Sequence, residues 1–299
     1  MLDPQDLGVD FSGTGIPFSD SACAKASELL NEHGAFVAKG IIDTADLKPI
    51  QDHIRNLIRL IANDNKHTNL EPQPGENFDA GFMALNRLNR DFGGLIYNAC
   101  RRVLPVHQIS SDYRLAALSK RLMKTETLMC SNFKAVRIDQ PSEDKYLFEW
   151  HQDYPYIQDS EDGLVYWIPL HDVDGTNGNV VIAPGSHKLG LQPVAIVDPT
   201  NKNKNGAASM TLANKAIVDK FPHIGVPVKA GEILVFNELL LHRSSPNRTQ
   251  RARWTLQVRH GNFEQSTAIA RKWPGGMIEG VSFADRHAQF VTNFNELQI

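Results

Sequence analysis

His151 and Asp153 stand two residues apart in the stretch EWHQDYPY, Glu149 to Tyr156, among aromatic neighbours. If that stretch is a strand, the two side chains point the same way, because successive residues alternate faces. An imidazole and a carboxylate aimed into one cavity can share a single divalent ion. Two ligands hold an ion weakly, so a third is needed. His242 in FNELLLHRSSPN is the best candidate, following a β-rich apolar run and preceding a polar turn, as a ligand at a barrel rim should. Two histidines and one carboxylate on one face of an octahedron leave three positions open, the arrangement of non-haem Fe(II) oxygenases. A co-substrate can chelate two of those positions while dioxygen takes the third.

Such chemistry draws electrons from a donor, commonly 2-oxoglutarate, whose far carboxylate is best held by a bidentate cation. Arginine suits that task better than lysine because its planar fork matches the carboxylate. Arg253 lies eleven residues after His242, at the head of the run RWTLQVR. Arg251 is the alternative, two residues earlier, and Ser244 offers a hydroxyl to the same carboxylate.

These residues need a scaffold, and the chain changes texture at about Thr125. Before it, the spacing predicts helices. Ser19 to His33 ends at Gly34, a good left-handed stop residue. Asp43 caps a run with Leu47, Ile50, Ile54, Leu57, Ile58 and Ile61 at three-four spacing. Met83 to Leu104 and Tyr113 to Met123 also read as helical, and AFVAKGI reads as a short strand. After Thr125, short β-rich runs such as GLVYWIPL, NVVIAPG and VPVKAGEILVFN alternate with turns. Many short strands behind stacked helices make an α+β chain with a sandwich or barrel. The polar stretch Asp198 to Ser209 reads as a surface insertion between strands.

Composition narrows the function classes. The chain has 299 residues, 41% of them hydrophobic, and a formal net charge of −3, enough to bury a large core and not the profile of a nucleic-acid binder. Its basic clusters fall in helical segments, where a charged face turned to water is the simpler reading. Cys23, Cys100 and Cys130 form no CxxC pair, so neither a disulfide framework nor a zinc-thiolate site is indicated. The opening segment MLDPQDLGVD lacks a signal pattern and no apolar run approaches membrane-spanning length, so a cytoplasmic location is expected, with no membrane partner. Gly13 to Gly15 (GTG) has no predicted strand before it, so a phosphate-binding loop is not indicated.

The blocks WHQD, NGNVVIAPGSHKLG and GEILVFNELLLHRSSPNRTQRAR resemble successive blocks of the phytanoyl-CoA dioxygenase family. The resemblance covers roughly 128–263 through its motifs. It implies an Fe(II)- and 2-oxoglutarate-dependent oxygenase on a double-stranded β-helix, a jelly-roll, cupin-like core with buttressing N-terminal helices. It also implies iron ligands at His151, Asp153 and His242, with Arg253 and Ser244 on the oxoglutarate. Iron(II), 2-oxoglutarate and dioxygen are the implied cofactor and co-substrates, with ascorbate a candidate stimulant. Related halogenases replace the carboxylate with a small residue, so Asp153 argues for oxygenation. The family residue on the strand before the HxD motif, which touches the oxoglutarate, falls among Asn132, Lys134 and Arg137.

Other residues have structural readings. His171, His187, His223 and His260 are expected to serve turns and packing, and Trp150, Tyr154 and Tyr156 either flank a substrate or pack the barrel. Arg253, Thr255, Gln257 and Arg259 share one face of their strand, a hint of a polar or anionic small-molecule substrate. The expected organisation is one domain over 1–299: a helical part to about 124, a core of about 125–263 and a C-terminal segment of 264–299. The expected reaction is hydroxylation of a C–H bond with release of succinate and carbon dioxide. Desaturation, epoxidation or oxidative cyclisation would use the same iron site. A non-catalytic jelly-roll module binding a metal or metabolite is the alternative of another class. The substrate and the oligomeric state are not legible.

Overall fold

In the computed structural model, which describes residues 2–13, 15–132, 134–141, 143–196, 210–273 and 275–292, Leu164–Pro169 (β5) is buried at every position. A run of Leu, Val, Tyr, Trp, Ile and Pro with no polar side can only be an interior strand. It pairs on one edge with Ile233–Asn237 (β10) and on the other with Arg253–Asn262 (β12), both antiparallel. Beyond β10 lie Ala35–Lys39 (β2) and, parallel to it, Gly8–Asp10 (β1). The far edge of β12 takes Leu128–Cys130 (β3) at one end and Ala135–Asp139 (β4) at the other. The result is a seven-stranded sheet.

A second sheet is made of Val180–Ile182 (β6) between His242–Ser244 (β11) and Ile224–Val226 (β9), with His151 bridged to the free side of β11. The two sheets form the walls of a double-stranded β-helix. Val194–Ile196 (β7), Met210–Leu212 (β8) and Val291–Thr292 (β13) make a separate small sheet. The predicted insertion between β7 and β8 lies outside the described residues.

Helices cover the outer face of the large sheet. Asp20–His33 (α1) begins at Ser19, whose hydroxyl accepts from the Ala22 N–H, and ends at Gly34 with φ 80°. Thr44–Asp64 (α2) is capped by the Asp43 carboxylate on the N–H groups of Ala45 and Asp46. The long helix expected over 83–104 is instead divided. Phe82–Leu88 (α3) stops at Asn89, which is extended, and the Asn89 side chain caps Arg90–Cys100 (α4). Leu104–Ser110 (α5) then starts after an extended Val103, with Pro105 in its first turn, where no backbone donor is missed. Tyr113–Met123 (α6) has the expected bounds.

The strand β12 shows how layers and site divide the chain. Trp254, Leu256 and Val258 face the helices and are wholly buried. Trp254 meets the edges of the Phe78 and Phe82 rings at centroid distances of 5.8 and 4.8 Å, and its indole N–H donates to Asp79 at 2.9 Å. Arg253, Gln257 and Arg259 face the space between the sheets.

One expectation is corrected at the N-terminus: β1 does precede Gly13. The next helix starts only at Asp20, so a phosphate-cradling strand–loop–helix is still absent among the described residues. No helix among them is long and apolar enough to cross a membrane.

Candidate metal centre

Backbone pairing sets the two histidines side by side. The N–H of each donates to the carbonyl of the other, His151 to His242 at 3.0 Å and the reverse at 3.1 Å. Their ring centroids are 4.2 Å apart. Asp153 does not reach them by strand alternation. Only His151 is in extended pairing, and Asp153 has helical backbone angles at the start of the short helix Tyr154–Ile157 (α7). The N–H groups of Asp153 and Tyr154 both donate to the Glu238 carbonyl, which bends the chain and brings the carboxylate back under the rings. Gln152 locks this bend, its amide donating to the carbonyls of Gly190 and Leu239.

The Asp153 Oδ1 atom lies 3.4 Å from His151 Nε2 and 3.6 Å from His242 Nε2. One ligand atom from each residue falls within 4.8 Å of the others. On the far side of each ring, Nδ1 meets a carbonyl, Glu149 at 2.7 Å and Leu240 at 2.9 Å. A carbonyl only accepts, so Nδ1 of each ring carries a proton, and Nε2 is the atom turned to the cluster. Burial, and then the neighbouring His151, push His242 down to about 3, so it is neutral at ordinary pH. Burial alone would raise the Asp153 carboxyl. Arg259, followed by the two histidines, outweighs it and holds the group below the usual carboxylate range. Two imidazoles and one carboxylate are the donor set a divalent iron takes.

The cluster opens into a cavity of about 670 Å³, which Arg253 and Ser244 also line. Arg253 is 1% exposed, and its Nη2 donates to Asp139 Oδ2 at 2.5 Å. Its Nε and Nη1 are buried and meet no partner among the described residues. Leaving two donors of a buried guanidinium unmet is costly, and Nη1, at the end of the fork beside Nη2, fits an incoming carboxylate. The Thr255 hydroxyl beside it is equally unpartnered. Ser244, two residues after His242 on β11, faces the same side.

Arg251 is elsewhere: it pairs with Asp79 at 2.8 Å, and its guanidinium lies over the Phe78 ring. Among Asn132, Lys134 and Arg137, only Arg137 lines the cavity. Asn132 donates to Glu279 and Lys134 to the Ser131 carbonyl.

The remaining histidines serve structure. His171 accepts the Trp254 N–H, and His260 bonds Ser119 and the Ser110 carbonyl. His187 and His223 meet backbone carbonyls. Of the aromatic residues, Tyr156 lines the cavity, Tyr154 is buried in a separate apolar cluster, and Trp150 packs beneath Arg243. Asn247 ties its turn to β4 through the Asp139 carbonyl.

Sequence reasoning missed Asp139, which sits between two guanidiniums, and the partner of Asp153, Arg259. The shared face of 253, 255, 257 and 259 was the available signal. By itself that face hints at substrate charge, whereas in the folded chain Arg259 is engaged by Asp153.

A family model described as phytanoyl-CoA dioxygenase (PhyH) matches residues 30–255. The chain is 28% identical over 106 residues to the 1-deoxypentalenic acid 11-beta-hydroxylase of Streptomyces arenae, 36% of this chain and 37% of that protein. It is 27% identical over 116 residues to the peroxisomal phytanoyl-CoA dioxygenase of Rattus norvegicus, 38% of this chain and 33% of that protein. These alignments thus span about a third of each relative. The fold is similar to that of the epimerase SnoN in complex with Fe3+, alpha ketoglutarate and nogalamycin RO. There the TM-score is 0.54 and the identity 17%, over 82% of this chain and 85% of that one. It is similar too to EctD from S. alaskensis with 2-oxoglutarate and 5-hydroxyectoine, with TM-score 0.54 and 15% identity over 88% and 82% of the two chains.

Proposed function

The chain belongs to the phytanoyl-CoA dioxygenase family, and on that premise we propose that it is an Fe(II)- and 2-oxoglutarate-dependent dioxygenase that hydroxylates a small molecule. The observation that carries this reading is the convergence of two imidazole nitrogens and one carboxylate oxygen in a cavity that also holds a buried arginine with unmet donors.

In this reading His151, Asp153 and His242 hold the iron. Arg253 takes the far carboxylate of 2-oxoglutarate through Nη1, at the end of the guanidinium, and Ser244 adds a hydroxyl. With iron and 2-oxoglutarate bound, dioxygen can be used to oxidise a substrate C–H bond while 2-oxoglutarate becomes succinate and carbon dioxide. The protein's share is positional. The carbonyls of Glu149 and Leu240 orient the imidazoles, Asp139 holds the Arg253 head, and the buried walls keep bulk water from the reacting atoms.

Three stretches act together as one catalytic unit. Support comes from β1 and β2, which extend the sheet of β5 and β12, and from Met277 of the C-terminal segment, which lines the cavity. The substrate is a small molecule that fits the aromatic wall of Phe148 and Tyr156. A metabolite library screened for compounds that accelerate succinate formation, with product masses, tests the outcome. A gain of one oxygen is expected; a loss of two hydrogens would turn the reading to desaturation or cyclisation.

A further inference from the structure

Arg259 lies six residues beyond Arg253 on the same face of β12 and is 4% exposed. Its Nε donates to Asp153 Oδ2 at 2.8 Å, and its Nη2 lies 2.8 Å from the same oxygen in an ion pair. The other oxygen, Oδ1, is the one that faces the two imidazoles. A guanidinium set fork to fork gives one N–H to each carboxylate oxygen, which here would engage Oδ1 as well. The closest approach of the guanidinium is therefore to Oδ2 and not to Oδ1. Nη2 also donates to Gln257 Oε1 at 2.9 Å, so the same edge is fixed from a second direction.

The consequence concerns how many positions the carboxylate occupies on a metal. An unrestrained carboxylate can turn and bind through both oxygens, taking a second position. The facial arrangement has only three open positions, and a chelating co-substrate with dioxygen uses all of them. We propose that Arg259 is a positioning residue that confines Asp153 to ligation through Oδ1 and so keeps the third position open. A charge-assisted bond and a close ion pair on Oδ2, in a site shielded from water, are what a metal would have to displace to gain the second oxygen. Lysine would supply the charge but not a planar fork that also reaches Gln257. The inference rests on the metal-site reading above.

The test is anaerobic binding of nitric oxide, a dioxygen stand-in that needs the third position, to the Fe(II)- and 2-oxoglutarate-loaded protein, read by electron paramagnetic resonance. Arg259→Gln is expected to weaken nitric oxide binding by roughly tenfold or more. Binding of 2-oxoglutarate, which needs only two positions, should change little. Arg259→Lys should recover only part of the loss. In an Asp153→Ala background at saturating Fe(II), the Arg259 substitutions should have no further effect. Wild-type nitric oxide affinity in Arg259→Gln, full recovery by lysine, or an undiminished loss in the Asp153→Ala background would overturn the proposal. A crystal structure of the Mn(II)-loaded wild type reads the same point without a variant. Oδ2 retained on Arg259 supports it, and both Asp153 oxygens on the metal refute it. Wild-type protein that takes up no Mn(II) would overturn this inference and the iron reading together. Uptake of Mn(II) and 2-oxoglutarate with a failed Arg259 comparison would overturn this inference alone.

Discussion

Arg253 meets Asp139 through one nitrogen only, Nη2 at 2.5 Å, and keeps its Nε and Nη1 buried and unmet. Asp139 is shared, since Arg137 donates to both of its oxygens at 2.9 Å. One carboxylate therefore steadies two guanidiniums at the cavity wall without satisfying the one that is to bind an anion.

Replacing Arg253 should strike at that anion. Arg253→Lys keeps a charge but loses the fork. From the roughly 2–5 kcal/mol typical of a buried charged hydrogen-bonded pair, the affinity for 2-oxoglutarate should fall roughly 30-fold or more. Titration of the metal-loaded protein with 2-oxoglutarate measures it.

The neighbouring residue should separate stability from binding. Trp254 points to the opposite face and donates to Asp79. Trp254→Phe should cost about 1–3 kcal/mol by leaving a buried acceptor short of one donor. Urea unfolding should record that loss, while affinity for 2-oxoglutarate stays within about twofold.

Asp139 gives the site a pH signature. Burial would raise its carboxyl, but Arg137 and Arg253 outweigh burial and bring it down to about 2, from the ordinary 3.8. A depressed carboxylate contributes stability above its unfolded value and loses it as pH falls towards its folded value. The shift corresponds to about 2 kcal/mol, present above pH ~4 and gone by about pH 2. Unfolding free energies measured across that window should show the decline, and Asp139→Asn should flatten it by about that amount.

Gly178 is held where a side chain has no room. At φ 98° its added Cβ would lie 2.8 Å from the Ser245 carbonyl oxygen and 3.3 Å from Arg253 Nη1. Gly178→Ala should destabilise by about 1–3 kcal/mol and weaken 2-oxoglutarate binding, because the shift falls on the anchoring guanidinium. Thermal melting and the same titration test both halves.

What could be seen in the sequence follows from the range of each interaction. The caps at Ser19, Gly34 and Asp43 act within a few residues, and the structure places them where local chemistry predicts. The division of 83–104 at Asn89 was hidden because the apolar spacing runs through it, while the capping side chain overrides that period. His151, Asp153 and His242 were legible as residue types with a spacing. The bend that unites them was not, since it depends on the Glu238 carbonyl, far along the chain. The choice between Arg251 and Arg253 likewise turned on where β12 begins. Arg259 was visible only as one of four polar residues on a face. Its partner could be found only by folding the chain.

The most direct test of the account is succinate release from 2-oxoglutarate in air, with Fe(II) and ascorbate and no added substrate, comparing wild type with His151→Ala. The account predicts slow succinate formation by the wild type, abolished by a chelator, restored by Fe(II), and absent in the variant. No succinate from iron-loaded wild type, or equal release from His151→Ala, would contradict it.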